Sequence, residues 1–493
     1  MIDPRVITRN GLFAMAASLA LAACAVGPTY QKPALGLTAA YDAAPPAAGP
    51  DATPAPLDAW WTGFGDPELI RVVERAGAQN LDIAQARARL LQSRAVAQAA
   101  GAALLPKGEA DGSAADVRQS LDSPIGEIGR HLPGYKRQVG LFDLGAAAAW
   151  EIDLFGGLRR EREAARADSL ASEADAQAVR TSVMAETADA YLLARAYQGR
   201  LGVAERQAAV EADLVDLLGQ RAAQGVSPDR DLREARAALE GVRATLPPLR
   251  IGLEAQLNRL DVLMGAQPGT WRAELMAAAP LPTPPVLAAG DGPADLLRRR
   301  PDVIAAERRL AASNARIGAA IADYYPKVSI SGLLGVESID AGQLFTGDAI
   351  QHQVAGGLRW RLFDFGRVDA EVARAKGGQA EALAAYRATV LRAAEEVEDA
   401  FTELDQDQIL AATLQRQIDE LNTARGQAQQ AYAAGAISLI EVRDADRELL
   451  AASDQLVQAQ AGADRAAVAA FRALGGGWTP DARLAGDPLR PRG

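Results

Sequence analysis

Residues 148–156 read Ala148-Ala149-Trp150-Glu151-Ile152-Asp153-Leu154-Phe155-Gly156, and 210 positions later the chain reads Leu358-Arg359-Trp360-Arg361-Leu362-Phe363-Asp364-Phe365-Gly366. Trp150 falls on Trp360 and Phe155-Gly156 on Phe365-Gly366, and the same offset carries Gly225 onto Gly435 and Leu263-Met264-Gly265 onto Ala473-Leu474-Gly475. Upstream the offset is 220, because Asp82-Ile83 pairs with Asp302-Val303, Arg89-Leu90 with Arg309-Leu310, and Leu104-Leu105-Pro106 with Tyr324-Tyr325-Pro326. The chain is therefore a tandem duplication, and one connection between Pro106 and Trp150 is longer by 220 − 210 = 10 residues. Each half follows one plan: a helix, a proline that stops it, a strand-like pair, a very long helix, a glycine turn and a returning helix.

The first residues carry Arg5 and Arg9, an apolar run from Leu12 to Ala22, and then Leu21-Ala22-Ala23-Cys24. That run is too short to span a bilayer as a helix. It has the layout of a secretory signal over 1–23, and Cys24 is the one cysteine, so an intrachain disulfide is excluded. Leu21 to Cys24 resembles a bacterial lipobox, which implies cleavage before Cys24, a covalent lipid on its sulfur and an acylated new amino terminus. An ordinary signal peptide ending near a buried cysteine is the other reading. Several acyl chains make a stable anchor where one is marginal. Seven prolines between Pro28 and Pro56 then predict an extended Pro/Ala-rich tether over 24–59.

No later segment offers eighteen consecutive apolar residues, so a membrane crossing has to use strands. The net charge of −11 comes without a basic stripe, which argues against a nucleic-acid partner. An aromatic share of 5% and abundant alanine favour packed helices. From Leu158 to Ala222, and again from Val368 to Ala434, there is no proline, and strong helix formers dominate. About 65 residues at 1.5 Å each give roughly 98 Å of helix. Val179, Val183, Thr187, Tyr191 and Leu192 recur at three and four, as a helix-to-helix seam requires. A filamentous coiled coil would share these features. The returning helices are expected after Gly225-Val226-Ser227-Pro228 and Gly435-Ala436-Ile437-Ser438, the first broken at Pro247-Pro248 and the second continuous toward Leu474.

Near 106–155 and 326–365 the period becomes two. Phe142, Leu144, Ala146, Ala148, Trp150 and Ile152 form one face, with Asp143, Glu151 and Asp153 on the other. Val328, Ile330, Leu334 and Val336 alternate with Lys327, Ser329 and Glu337, and Leu358, Trp360 and Leu362 alternate with Arg359 and Arg361. Apolar outside and polar inside marks a membrane barrel strand, although a soluble antiparallel sheet alternates in the same way. Four strands cannot close, and open edges are not tolerated in hydrocarbon, so membrane strands of this kind require several copies in one barrel. His131 and His352 are expected in the loops between strands, as solvated surface residues.

Five motifs give the chain a family likeness: Cys24-Ala25-Val26-Gly27-Pro28; Trp61 with Phe64-Gly65-Asp66-Pro67-Glu68-Leu69; Arg299-Arg300-Pro301-Asp302-Val303; Leu362-Phe363-Asp364-Phe365-Gly366; and Ala473-Leu474-Gly475-Gly476-Gly477-Trp478. With the duplication, they make it resemble the lipidated branch of the TolC-like outer-membrane efflux proteins. The resemblance implies a mainly α fold with a small β part. It implies a homotrimer whose three sets of four strands form a twelve-stranded outer-membrane β-barrel, continuous with a hollow α-helical periplasmic cylinder. The implied partners are a periplasmic membrane-fusion adaptor, an inner-membrane efflux pump of the resistance-nodulation-division type and outer-membrane lipid. Substrates would pass unaltered, with no cofactor beyond the lipid on Cys24. The domain plan is a first repeat over 60–265, a linker over 266–293, a second repeat over 294–478 and a tail over 479–493.

In that family the helix-turn-helix tips close the periplasmic mouth and dock the adaptor. Here the tips are Arg221 to Asp231 and Tyr432 to Asp444, with Gly225, Val226, Ser227, Gly435, Ala436 and Ser438 as docking residues. Family gate acids map onto Asp231, Glu441 and Asp444. Glu441 and Asp444 are three apart and share a helix face, with Arg443 and Arg447 as ordinary local partners. At roughly 8 Å in water a like-charge pair costs only about 0.5 kcal/mol, so closure has to rest on packing and ion pairs. The family often has a basic or hydroxyl residue two after the second tip glycine, whereas this chain has Ile437, and Pro228 also departs from the usual first tip. The sequence holds no phosphate-binding glycine loop ending in Lys-Ser/Thr, no His-Glu-x-x-His and no cysteine cluster, which argues against an enzyme. An exit duct for protein secretion and a lipid-anchored envelope coiled coil are the alternative functions.

Overall fold

The computed structural model describes residues 25–43, 54–277, 279–287 and 292–479. The expected signal segment, the lipidation site Cys24 and nearly all of the C-terminal tail lie outside the described residues. The first repeat runs α1 (Pro67–Gln79), α2 (Leu81–Ala102), β1 (Lys107–Arg118), α3 (Pro124–Gly129), β2 (Gln138–Ile152), α4 (Gly157–Ala223), α5 (Asp229–Arg243), α6 (Leu246–Leu263) and the single turn α7 (Arg272–Leu275). The second runs α8 (Leu296–Arg299), α9 (Pro301–Ala322), β3 (Lys327–Ser338), β4 (Ile350–Arg359), α10 (Arg367–Ala433) and α11 (Leu439–Ala473).

Local chemistry sets these boundaries. Asp66 caps α1 by accepting from the N–H groups of Glu68 and Leu69, and Pro67 sits in the first turn, where its missing N–H costs nothing. Asn80 performs the same service for α2 through Asp82 and Ile83, while its amide donates to Leu263 O at 2.9 Å and ties α2 to the end of α6. Both proline-free stretches form helices of 67 residues. The first returning helix breaks at Ala244–Thr245, so that Pro247 and Pro248 fall in the opening turns of α6. The second, α11, is one helix of 35 residues.

The four strands make one antiparallel sheet in the order β1-β2-β3-β4. Lys107 faces Ala149 in the first hairpin and Lys327 faces Arg359 in the second, so the hairpins share a register under the two offsets. The ten extra residues therefore belong to the connection between Arg118 and Gln138, which holds α3. Three expectations need correction. His352 lies in β4, opposite Leu334, because that strand begins at Ile350. Trp360 and Leu362 fall beyond the end of β4, which stops where its partner β3 begins. Asp153 lies past β2, and its carboxylate instead accepts from the N–H groups of Leu158 and Arg159 at the start of α4. In addition, the one-turn helix α7 falls within the span expected to be an extended linker.

The chain divides into two compact units. The unit holding the sheet comprises the N-terminal segment through Pro33, Leu91–Leu170 and Glu307–Ala384. Its N-terminal segment is clasped: Val26 N–H donates to Phe155 O at 3.1 Å, Arg160 donates to Val26 O, and Asn314 donates to Pro28 O. Gly27 approaches so closely that a Cβ there would stand 2.4 Å from Gly318 Cα, which explains glycine at position 27, while a Cβ at Gly318 would stand 2.9 Å from the Arg160 side chain. The other unit comprises Ala34–Leu90, Ala171–Ala306 and Ala385–Gly493. Its core stacks Trp60 on Phe471 at 5.5 Å, with Trp61 and Phe64 edge-on to Trp60. The glycine-rich end closes on this core, Gly477 N–H donating to Leu57 O and the Trp478 indole to Arg299 O. Arg300 is buried and donates to Asp302, Glu396 and the carbonyls of Ala393 and Ala473, which joins two of the sequence motifs.

Candidate functional site: the strand face and the helix tips

Strand alternation and the observed register sort the sheet into two faces. One carries Leu144, Trp150, Ile330, Leu334, Ile350, Val354 and Leu358, every one exposed, with Val354 at 80%. In β1 the same face is built of Gly108, Ala110, Gly112 and Ala114 and ends in Asp116 and Arg118, and His352 of β4 lies on it opposite Leu334. The opposite face carries Lys107, Glu109, Asp111 and Ser113 on β1, Asp143 and Glu151 on β2, Ser329, Ser331 and Glu337 on β3, and Gln351, Gln353 and Arg359 on β4. Ser113 hydrogen-bonds Asp143 and Gln351 donates to Glu337 across it. An apolar face of this size on a sheet with two open edges has no stable place in water. Among the described residues no helix is long and apolar enough to cross a membrane.

The helix-side ends of the strands repeat one contact. Trp150 donates its indole N–H to Leu104 O at 3.0 Å, and Trp360 donates to Tyr324 O at 2.9 Å. The pairs are related by the duplication. Each amphipathic indole holds its polar edge on a backbone carbonyl, and the Trp150 ring lies on the apolar face, the pattern of an aromatic girdle at a membrane boundary.

The long helices α4 and α10 finish in matching turns. Gly225 and Gly435 have φ of 71° and 73°, the left-handed region in which glycine is unstrained. Gly225 N–H donates to Ala222 O and Val226 N–H to Arg221 O, while Gly435 N–H donates to Tyr432 O and Ala436 N–H to Ala431 O. These pairs satisfy the last carbonyls of each helix. Gly225, Val226, Gly435, Ala436 and Ser438 are exposed and Ser227 is half-buried. Val226, 71% exposed, and Ile440 present apolar side chains to solvent there. Arg221 donates to the Tyr432 hydroxyl at 3.0 Å and so links the two tips.

Each of the three acids predicted for the gate finds a partner on its own helix. Glu441 accepts from Ser438 N–H at 3.2 Å in a capping box, Asp444 pairs with Arg447 at 3.2 Å, and Asp231 pairs with Arg230 at 3.6 Å. The acid that joins helices is Asp446, which the sequence reading did not single out. It is buried, pairs with Arg425 of α10, and lies 3.6 Å from Arg443, which itself donates to Val210 O of α4. Its i,i+3 relation to Arg443 was visible, but its partner Arg425 lies across the turn, 21 residues earlier.

The family model for outer membrane efflux proteins matches residues 72–266 and 292–476. The pyoverdine export outer membrane protein OpmQ of Pseudomonas putida is 32% identical over 94% of this chain and 97% of its own length. The outer membrane protein OprJ of Pseudomonas aeruginosa is also 32% identical, over 95% of this chain and 96% of its own. A solved structure of the outer-membrane channel OprN superposes with a TM-score of 0.81 at 35% identity, covering 92% of this chain and all of that one. An exposed apolar strand face, a polar opposite face, two matched helix tips and these relatives lead to one conclusion: the chain belongs to the outer membrane efflux protein family.

Proposed function

We propose that the protein is the outer-membrane duct of a tripartite efflux system, passing small molecules outward without altering them. The observation that carries this reading is the four-stranded sheet with one exposed apolar face, one polar face and both edges open. Three copies supply twelve strands and leave no edge in hydrocarbon. The long helices then stand in the periplasm of a Gram-negative cell, and their tips meet a periplasmic adaptor that is loaded by an inner-membrane pump. Exposed Val226 and Ile440 give the adaptor apolar footholds beside Gly225, Val226, Ser227, Gly435, Ala436 and Ser438. Lipidation at Cys24 fits the clasp of the following residues, since Ala25 lies against Gly156 at the base of the sheet, where acyl chains would enter the membrane.

Asp231, Glu441 and Asp444 line the proposed mouth, and Asp446 with Arg425 and Arg443 holds it shut. The test is single-channel conductance in planar bilayers of detergent-purified wild type, Glu441→Ala/Asp444→Ala and Asp446→Ala. Asp446→Ala removes a charged hydrogen bond worth about 2 kcal/mol in each copy and should raise open probability above the double variant, whose acids have only local partners. Soluble rods from a Cys24→Ala variant without detergent would overturn the channel reading. Conductance equal in all three would overturn the role given to Asp446.

A further inference from the structure

The duplication fixes how one copy meets the next. Adding 220 to β1 and 210 to β2 converts the pair Lys107↔Ala149 into Lys327↔Arg359, which is the register observed in the second hairpin. The join between the repeats, β2 to β3, runs from Ile152↔Val328 to Phe142↔Ser338. Advancing that join by one repeat, with 210 added to β2 and 220 subtracted from β3, sets β4 antiparallel to a β1 that belongs to another copy. We infer that β4 pairs with β1 of a second copy in the register Leu362↔Gly108, Leu358↔Gly112 and Val354↔Asp116. This rests on the reading that the strands share one barrel, and adds the alignment at its seam.

Three properties not used to obtain that register agree with it. It keeps the apolar face of β4 on the same side as the Gly108, Ala110, Gly112 and Ala114 face of β1, with Asp116 meeting Val354 at the far end, and a slip of one residue would invert the faces. It sets large side chains against small ones, with Trp360 opposite Ala110, Leu358 opposite Gly112 and Leu362 opposite Gly108. On the polar face it sets Arg359 opposite Asp111, and Arg361, which in the single chain bridges Asp323 and Glu371, opposite Glu109. The smallest slip that preserves the faces is two residues. In one direction it puts Arg359 opposite Ser113, and in the other Arg361 opposite Lys107, so either slip keeps only one of the two ion pairs.

The free edge is unfinished in the way this pairing requires. β2 continues to Ile152, three residues beyond its last β1 partner at Ala149, because β3 pairs with the extension. The corresponding Trp360, Arg361 and Leu362 lie outside β4, and Leu362 N–H folds back onto Trp360 O at 3.1 Å. Phe155 stacks on Tyr325 at 4.5 Å, whereas its repeat counterpart Phe365 is 94% exposed with a φ of 53°, strained for a residue other than glycine. The repeat counterpart of Tyr325 is Leu105, also exposed, so the neighbouring copy offers Phe365 the cover that Phe155 has within the chain.

The experiment introduces cysteine pairs into the full-length protein and reads oxidised crosslinks between chains on non-reducing gels. Leu358→Cys/Gly112→Cys and Arg359→Cys/Asp111→Cys are in register; Arg359→Cys/Ser113→Cys and Arg359→Cys/Glu109→Cys are two residues out. Directly opposite residues stand about 4.5 or 5.5 Å apart at Cα, within disulfide reach, and diagonal ones about 7 Å or more, so in-register pairs should give about tenfold more crosslinked product. Preferential crosslinking of an off-register pair, or a folded oligomer with no crosslink at any pair, would overturn the alignment and leave the shared barrel standing. Membrane extracts holding only monomers would overturn both. Should the cysteines impair folding, Arg359→Asp and Asp111→Arg should each lower oligomer yield and the combination restore it; no restoration would count against the register.

Discussion

Asp464 sits on α11 with none of its surface exposed, and neither carboxylate oxygen has a hydrogen-bond partner among the described residues. Loss of hydration pushes its pKa up to about 8. In the unfolded chain an aspartate titrates near ~3.9. Below about pH 4 both states hold the proton and the group has no effect on stability. From there up to the folded pKa only the unfolded chain releases the proton, so stability falls as pH rises, by about 1.4 kcal/mol per unit. Summed to about pH 7, the loss is roughly 4 kcal/mol. Asp464→Asn keeps the shape and abolishes the titration. The variant should match wild type near ~pH 4 and exceed it by up to about 4 kcal/mol near ~pH 7. The assay is denaturant unfolding of the detergent-purified protein, followed by far-ultraviolet circular dichroism across that range for both proteins. A gap between them that does not change with pH, or a wild type that gains on the variant as pH rises, would refute the reasoning, because either result means the carboxylate is ionised and partnered in the fold.

Two further outcomes follow from the same packing. Arg300→Ala leaves a buried hole and removes the hydrogen bonds to the carbonyls of Ala393 and Ala473, while Asp302 and Glu396 stay partly solvated, and should cost about 1–3 kcal/mol, read as loss of folded protein from membranes; Arg300→Lys should recover only part, because an ammonium cannot reproduce the guanidinium fork. Trp150→Phe and Trp360→Phe each delete an indole-to-carbonyl hydrogen bond, and each should cost about 1 kcal/mol, with near-additive loss in the double variant, measured by thermal melting in detergent.

What the sequence disclosed was whatever depends on local chemistry. Absence of proline set the two long helices to within a residue or two, because helix propagation is decided turn by turn. Alternation assigned the faces from Phe142 to Ile152, since period two is a property of the strand itself. Strand ends were not legible in the same way. Trp360 and Leu362 alternate correctly but lie outside β4, because a strand extends only as far as something pairs with it. His352 was placed in a loop for the related reason that where β4 begins depends on its register with β3. At the tips, the three acids chosen by family likeness proved locally paired, while Asp446 acts through Arg425 on another helix, and no spacing rule reaches across a turn to find it. Asp464 left a trace, an acid between Ala463 and Ala466-Ala467 on a helix that is alanine-rich all round, but only packing shows that every side of it is covered.

The tips also show which forces can hold a mouth closed. Asp444 and Asp231 each lie beside an arginine of their own helix and Glu441 is held in its helix's capping box, so all three are engaged locally and not across helices. Like-charge repulsion near ~8 Å in water amounts to about 0.5 kcal/mol per pair. Asp446 is buried and accepts a hydrogen bond from Arg425, with Arg443 at ion-pair distance, and a hydrogen bond to a charged group is worth about 1.5–3 kcal/mol. The contact within one copy is therefore larger than the repulsion of one like-charge pair between copies. With three copies around one mouth, as proposed, an opening that parted Asp446 from Arg425 in every copy would cost roughly 6 kcal/mol, which is about four powers of ten in the closed-to-open ratio. Under that proposal the duct would stay shut on its own, and an adaptor would open it only by binding the open tips more strongly than the closed ones by a comparable amount. The exposed Val226 and Ile440 are where such a difference can arise, because their apolar surface is not already committed within the copy and is free to be covered by a partner.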